Sequence, residues 1–151
     1  MRILHRKMSA TFVHELRVTY AECTVGNHVY YARYLDYLEE ARGEFFRHLK
    51  MPFLKLQGEE TLFPVVEVQM RYKGAARYDD LLRVELWLTE AHRVKLTFAS
   101  KILNCENRVL VEGQTTHVCT GLDDKPKRLP EGLLAALQPY LHQPKSAEHP
   151  Q

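Results

Sequence analysis

The chain has 151 residues, 45% of them hydrophobic, which is the length of one domain with enough apolar material for one core. Its 21 basic and 19 acidic residues leave a formal charge of +2, too balanced for a surface that coats nucleic acid or membrane, where clustered cations are needed. Three widely spaced cysteines with no C-x-x-C pair, and eight scattered histidines, indicate neither a disulfide framework nor a metal site. Reduced thiols and no metal are expected.

No run approaches the roughly 20 apolar residues of a membrane span, and the N-terminal MRILHRKMSATFV lacks a signal-peptide core, so a cytoplasmic protein is expected. Residues 1–10 read as an arm, 11–141 as the domain, and 142–151 as a polar, proline-containing tail expected to be disordered.

From Thr11 to Glu22 the residues alternate, with Phe12, Leu16, Val18 and Tyr20 on one face and Glu15, Arg17 and Thr19 on the other, predicting a half-buried strand. Gly26-Asn27 signals a turn. Tyr34, Leu38, Ala41, Phe45 and Leu49 then recur at helical steps, predicting one long helix that ends before Pro52. A loop containing Gly58 precedes four strand-like segments. Leu62 to Tyr72 sets Val66, Val68 and Met70 against Glu67, Gln69 and Arg71. In the next, Leu82, Val84, Leu86 and Leu88 face one way; in the third, Val94, Leu96, Phe98 and Ile102 do. Asn104 to Asn107 reads as a hairpin turn and Val109 to Cys119 as the last strand, followed by a polar connection and a short helix over Gly132 to Leu141. This order predicts an α+β fold in which an antiparallel five-stranded sheet wraps its apolar face around one long central helix.

The segment VTYAECTVGNHVYYARYLDYLEEARGEFFRHL, residues 18–49, resembles the signature of the 4-hydroxybenzoyl-CoA thioesterase family, which includes acyl-CoA thioesterases associated with the Tol-Pal system. ARYDDLLRVE, VEGQTTHVCT and KPKRLPEGL are similar to later parts of the same family. The resemblance implies a hotdog fold, a homodimer or homotetramer, and a thioester site at the subunit interface beside the N-terminus of the long helix. By position it makes the backbone N–H of Tyr31 the oxyanion donor, a role suited to a helix start, whose first N–H groups lack internal partners. The alternative is that Tyr30 and Tyr31 merely start the helix and pack.

One position departs from the family. Where the resemblance places the catalytic carboxylate, this chain has Thr24, in Glu22-Cys23-Thr24. A hydroxyl with no adjacent base is neither a general base nor an activated nucleophile. Enediyne-biosynthesis thioesterases, which this segment also resembles, carry a neutral Asn there, so a neutral residue is compatible with hydrolysis. Glu22 would reach the site if the strand continues, or serve as a rim carboxylate; His28 is a base or a loop cap; Asn27 orients water or forms the turn. Either Glu39 or Glu40 could face the site or solvent. Arg42 reads as a buried cation paired with a helix acid, and His117 as a satisfied interior histidine. No cofactor is implied, because coenzyme A is part of the substrate; its phosphates would be met by Arg71, Lys73, Arg77, Lys127 or Arg128, with Lys125 a further candidate. Hydrolysis of an acyl-CoA or acyl-carrier-protein thioester is the expected function, and a non-hydrolytic acyl-CoA-binding or acyl-transfer protein the alternative.

Overall fold

The structure, a computed structural model, describes residues 9–143. Strand β1 spans Phe12–Arg17 and stops short of the predicted Glu22, because a 3-10 turn at Tyr20–Glu22 takes over. Within that turn the Thr19 N–H donates to the Glu22 carboxylate at 2.8 Å and the Glu22 N–H to the Thr19 carbonyl at 3.2 Å. Backbone groups that find partners locally do not extend a ladder. Tyr20, expected on the buried face, is 78% exposed as a result.

A short pair of antiparallel strands follows, β2 (Cys23–Thr24) and β3 (His28–Val29), and then helix α1, Arg33–His48. Its buried face comprises Tyr34, Tyr37, Leu38, Ala41, Arg42, Phe45 and Phe46. The segment read as a loop before the strands contains a second helix, α2, at Phe53–Gly58. Six residues are too few to show a helical period. What holds α2 is tertiary: Leu56 is fully buried and the Phe53 ring lies 4.8 Å from that of Phe46.

Strands β4 (Val65–Tyr72), β5 (Leu81–His92), β6 (Lys95–Leu103) and β7 (Val109–Val118) join β1 in one antiparallel five-stranded sheet of order β1-β5-β6-β7-β4. Helix α3 (Glu131–Leu137) and a 3-10 turn at Gln138–Tyr140 complete the domain, and Leu133 and Leu137 enter the same core as α1. Helical cover of the sheet is therefore shared, with α1 the longest contributor.

The inward row of β5, Leu82, Val84, Leu86 and Leu88, is buried as expected. Strand β4 behaves differently. Val66 is 59% and Val68 43% exposed, although both lie on its apolar face. β4 is an edge strand bonded only to β7. An open edge with apolar side chains is a template for pairing with another chain. Gly113 on β7 meets this strand closely: a Cβ there would lie 2.0 Å from the Gln69 carbonyl oxygen, so no side chain fits.

His142 stacks on Trp87 at 5.3 Å and its N–H donates to the Leu88 carbonyl at 2.8 Å, which ties the chain down beyond residue 141. Residues 144–151 and most of the arm, 1–8, lie outside the described residues. Among the described residues no helix is long and apolar enough to cross a membrane.

Candidate active site

The loop between β2 and β3 turns through Gly26 and Asn27, both with positive φ (85° and 61°), which is why a Gly-Asn pair stands there. The turn sets Thr24 directly opposite His28 in the strand pair. Directly opposed residues share a face with Cβ atoms about 5 Å apart. The register thus sets the Thr24 and His28 side chains opposite each other on the strand pair, a placement that sequence spacing did not show. A second segment locks the loop in place: the Tyr78 N–H donates to Asn27 Oδ1 at 3.2 Å, Arg77 donates to the Gly26 carbonyl at 3.2 Å, and the Val29 N–H to the Ala76 carbonyl at 3.0 Å. The buried Tyr34 hydroxyl accepts the Ala76 N–H at 2.9 Å and fastens that segment to α1.

At the helix start the Tyr30 N–H donates to the Glu22 carbonyl at 3.0 Å and the Arg33 N–H to the Tyr30 carbonyl at 2.8 Å. Among the described residues, the N–H groups of Tyr31 and Ala32 have no acceptor. Two free donors at the positive end of a helix form the arrangement that stabilises an oxyanion. The Tyr72 hydroxyl holds this corner by donating to the Tyr31 carbonyl at 3.2 Å. Tyr20, Val25, Tyr30, Tyr31, Tyr72 and Tyr78 are all at least 44% exposed around it. So many exposed large side chains in one place mark a binding surface. Their distance in sequence, from residue 20 to 78, hid the cluster.

Glu22 is not free. Its Oε2 accepts the Thr19 N–H at 2.8 Å and the Tyr37 hydroxyl at 2.7 Å, so the carboxylate serves as an anchor under the loop. Burial, and then the Glu22 carboxylate, push the Tyr37 hydroxyl well above the ordinary tyrosine range. Neither helix acid reaches Thr24 through these contacts: Glu40 lies 3.4 Å from His14 on β1, and Glu39 pairs with Arg42 at 2.5 Å. Arg42 also donates to the Thr115 hydroxyl at 3.2 Å. Thr115 lies 2.9 Å from His117 Nε2, and His117 Nδ1 lies 3.1 Å from the Phe63 carbonyl. A carbonyl only accepts, so Nδ1 carries the proton and Nε2 accepts from Thr115. His117 is a neutral, satisfied interior histidine, with burial holding its pKa below the usual value.

The proposed nucleotide cations fall into separate places. Arg77 stands beside the Thr24–His28 loop. Arg71 lies on the outer face of β4, and Lys73 pairs with Glu112 at 2.7 Å. Lys127 donates to the Glu59 and Glu60 carbonyls at 3.4 and 3.1 Å, next to the exposed Arg128.

The family profile of the Thioesterase-like superfamily matches residues 18–137, which include the loop, α1 and every strand except β1. The chain belongs to this superfamily. Family membership makes it a thioester hydrolase with the hotdog fold, as its sequence leads one to expect. The acyl-CoA thioester hydrolase YbgC of Escherichia coli is 34% identical over 121 residues, covering 80% of this chain and 90% of the relative. The acyl-CoA thioesterase YbgC of Haemophilus influenzae is 34% identical over 128 residues, covering 83% and 93%. A crystal structure of a hypothetical protein from Aquifex aeolicus superposes with a TM-score of 0.80 at 28% identity, covering 83% of this chain and 98% of that one.

Proposed function

We propose that this thioesterase-superfamily protein hydrolyses acyl-CoA thioesters in the cytoplasm as a homo-oligomer built on β4 pairing, using a Thr24–His28 pair where relatives are expected to place a carboxylate. The observation that carries this reading is the pair of unpartnered N–H groups at Tyr31 and Ala32, set beside that loop.

The thioester carbonyl oxygen takes the Tyr31 N–H and gains negative charge as a water oxygen bonds to carbon. His28 accepts the water proton, with the Thr24 hydroxyl orienting the water. As the tetrahedral species collapses, the carbon–sulfur bond breaks, and the proton passes from His28 to the departing thiolate. The products are a carboxylic acid and coenzyme A. Arg77, beside the loop, is suited to a phosphate of the carrier, while Asn27 is committed to holding the Tyr78 N–H. Glu22 positions the loop through Tyr37 and Thr19.

The oligomer follows from the open edge. Pairing β4 with β4 of a second copy about a two-fold axis would satisfy its free backbone groups and cover Val66 and Val68. A second reading, an acyl-CoA-binding protein without turnover, is favoured by the missing acid at Thr24 alone. The deciding experiment is thiol release from a panel of acyl-CoA thioesters and one acyl-carrier-protein thioester, against a buffer blank. Saturable hydrolysis supports the enzyme; binding without release above the blank supports the second reading.

A further inference from the structure

Tyr72, the last residue of β4, reaches the start of α1, where its hydroxyl donates to the Tyr31 carbonyl at 3.2 Å. That carbonyl stands outside the helix ladder. In a regular α turn it would accept the Leu35 N–H, but Leu35 donates to the Ala32 carbonyl at 3.2 Å instead. Among the described residues, the Tyr72 hydroxyl is the partner that the Tyr31 carbonyl has. The same peptide unit carries the Ala32 N–H, one of the two donors left free at the helix start. In a planar trans peptide the C=O and N–H point in opposite directions, so fixing the carbonyl on one side aims the N–H out of the other. A hydrogen bond to the carbonyl also polarises the unit and strengthens its N–H as a donor. The preceding unit is arranged alike: the Tyr30 carbonyl accepts the Arg33 N–H at 2.8 Å, and its other end is the Tyr31 N–H. One unit is thus held by local backbone and the other by a side chain from the sheet. Tyr72 is itself held, with its ring 6.2 Å from Tyr31 and 5.7 Å from the buried Tyr34. Just beyond it the Lys73 and Gly74 N–H groups both donate to the Leu110 carbonyl, at 2.8 and 3.1 Å, and fix the end of β4.

We propose that Tyr72 is a positioning residue for thioester hydrolysis, orienting the Ala32 N–H as a second donor, beside that of Tyr31, to the carbonyl oxygen of the substrate. The inference rests on the proposed hydrolysis at this helix start and uses residues of one copy only. A carbonyl oxygen has two lone pairs, and as it becomes an oxyanion it gains from a second donor already aimed at it. Tyr72 touches no reacting atom and acts through the peptide between Tyr31 and Ala32. Burial, and then Tyr31, raise the pKa of its hydroxyl, so it stays a proton donor at neutral pH.

The test is a double-mutant cycle with a binding control. Tyr72→Phe keeps the ring and deletes the hydroxyl; Ala32→Pro deletes the N–H at a residue whose φ of −69° already suits proline. On the best acyl-CoA thioester of the panel, Tyr72→Phe should lower kcat about five- to tenfold while KM changes by no more than about twofold. Ala32→Pro should lower kcat by about two to three orders of magnitude, and adding Tyr72→Phe to it should cost nothing further. A native kcat in Tyr72→Phe overturns the inference. So does a loss that persists in the Ala32→Pro background, because Tyr72 would then act on something other than this N–H. The control needs neither turnover nor the proline variant: a non-hydrolysable acyl-CoA analogue, with a methylene in place of the thioester sulfur, is titrated while the 15N–1H signal of the Ala32 amide is followed. A saturable shift is expected, smaller in Tyr72→Phe. An Ala32 signal that ignores the analogue overturns the inference whatever the kinetics, as does a shift of equal size in Tyr72→Phe; hydrolysis alongside either result leaves the thioesterase reading standing alone. If no thioester is hydrolysed but the Ala32 signal shifts, and shifts less in Tyr72→Phe, hydrolysis fails as the function while Tyr72 and Ala32 still place the carbonyl.

Discussion

The Tyr37 hydroxyl, buried on α1, donates to the Glu22 carboxylate at 2.7 Å and so ties the long helix to the turn that leads into the Thr24–His28 loop. A hydrogen bond to a charged group is worth about 1.5–3 kcal/mol. Tyr37→Phe should therefore lower stability by about 1–2 kcal/mol, read as a drop in urea midpoint. Because burial and Glu22 raise the Tyr37 pKa, the unfolded chain releases this proton near pH 10 while the folded chain keeps it. Stability from this pair is fully present below about pH 10 and falls as pH rises above it, and the fall should be shallower in Tyr37→Phe.

Glu22→Gln keeps an amide oxygen that can accept both anchoring hydrogen bonds, so the loop should stay in place. With Glu22 acting as an anchor, kcat should change by no more than a few-fold. A loss of about two orders of magnitude would make Glu22 the general base.

The Thr24–His28 pair makes the opposite forecast for its own members. His28→Ala, at an exposed position, should lower kcat by about two orders of magnitude with an unchanged melting curve. Thr24→Asp puts a carboxylate beside the helix N-terminus and should raise kcat. Steady-state kinetics on the best thioester of the panel read both; a His28→Ala enzyme as fast as the native one removes His28 from the mechanism.

Tyr31→Pro deletes one of the two free N–H groups while proline remains compatible with a helix start. Turnover should fall by about two to three orders of magnitude, with circular dichroism unchanged. A native rate in that folded variant would put the carbonyl at another donor.

His117 is buried, neutral and held below the ordinary histidine pKa, so the unfolded chain binds a proton near pH 6.5 that the folded chain refuses. Its contribution is present above about pH 6.5 and is lost as pH falls below that value. Chemical denaturation at pH 7.5 and pH 5 should show lower stability at the acid end, and the difference should shrink in His117→Gln.

The open β4 edge forecasts a particle heavier than the 17.7 kDa chain. Light scattering at micromolar concentration should give at least twice that mass, and Val68→Lys, on the exposed apolar face, should shift it toward the monomer.

What the sequence determined by itself were the features written in short-range periodicity. The α1 stripe from Tyr34 to Leu49, the alternation of Leu82 to Leu88, and the Gly26-Asn27 turn each follow from residues that are neighbours in the chain. The reading of Thr24 as a departure from the family resemblance came from the sequence in the same way, since the residue sits inside a contiguous motif. Helix α2 was not, because six residues hold no readable period and its stability comes from Leu56 and Phe53 packing on the core. Nor was the early end of β1, where the Glu22 side chain competes with the strand ladder for the Thr19 N–H. Only the tertiary structure decided which partner each polar side chain takes. It turned Glu22 toward Tyr37, fastened Asn27 to Tyr78, and left β4 at an edge where Val66 and Val68 stay uncovered. These depend on which strands become neighbours and where the chain crosses over, and pairing between segments fifteen to fifty residues apart leaves no periodic trace in the residues themselves.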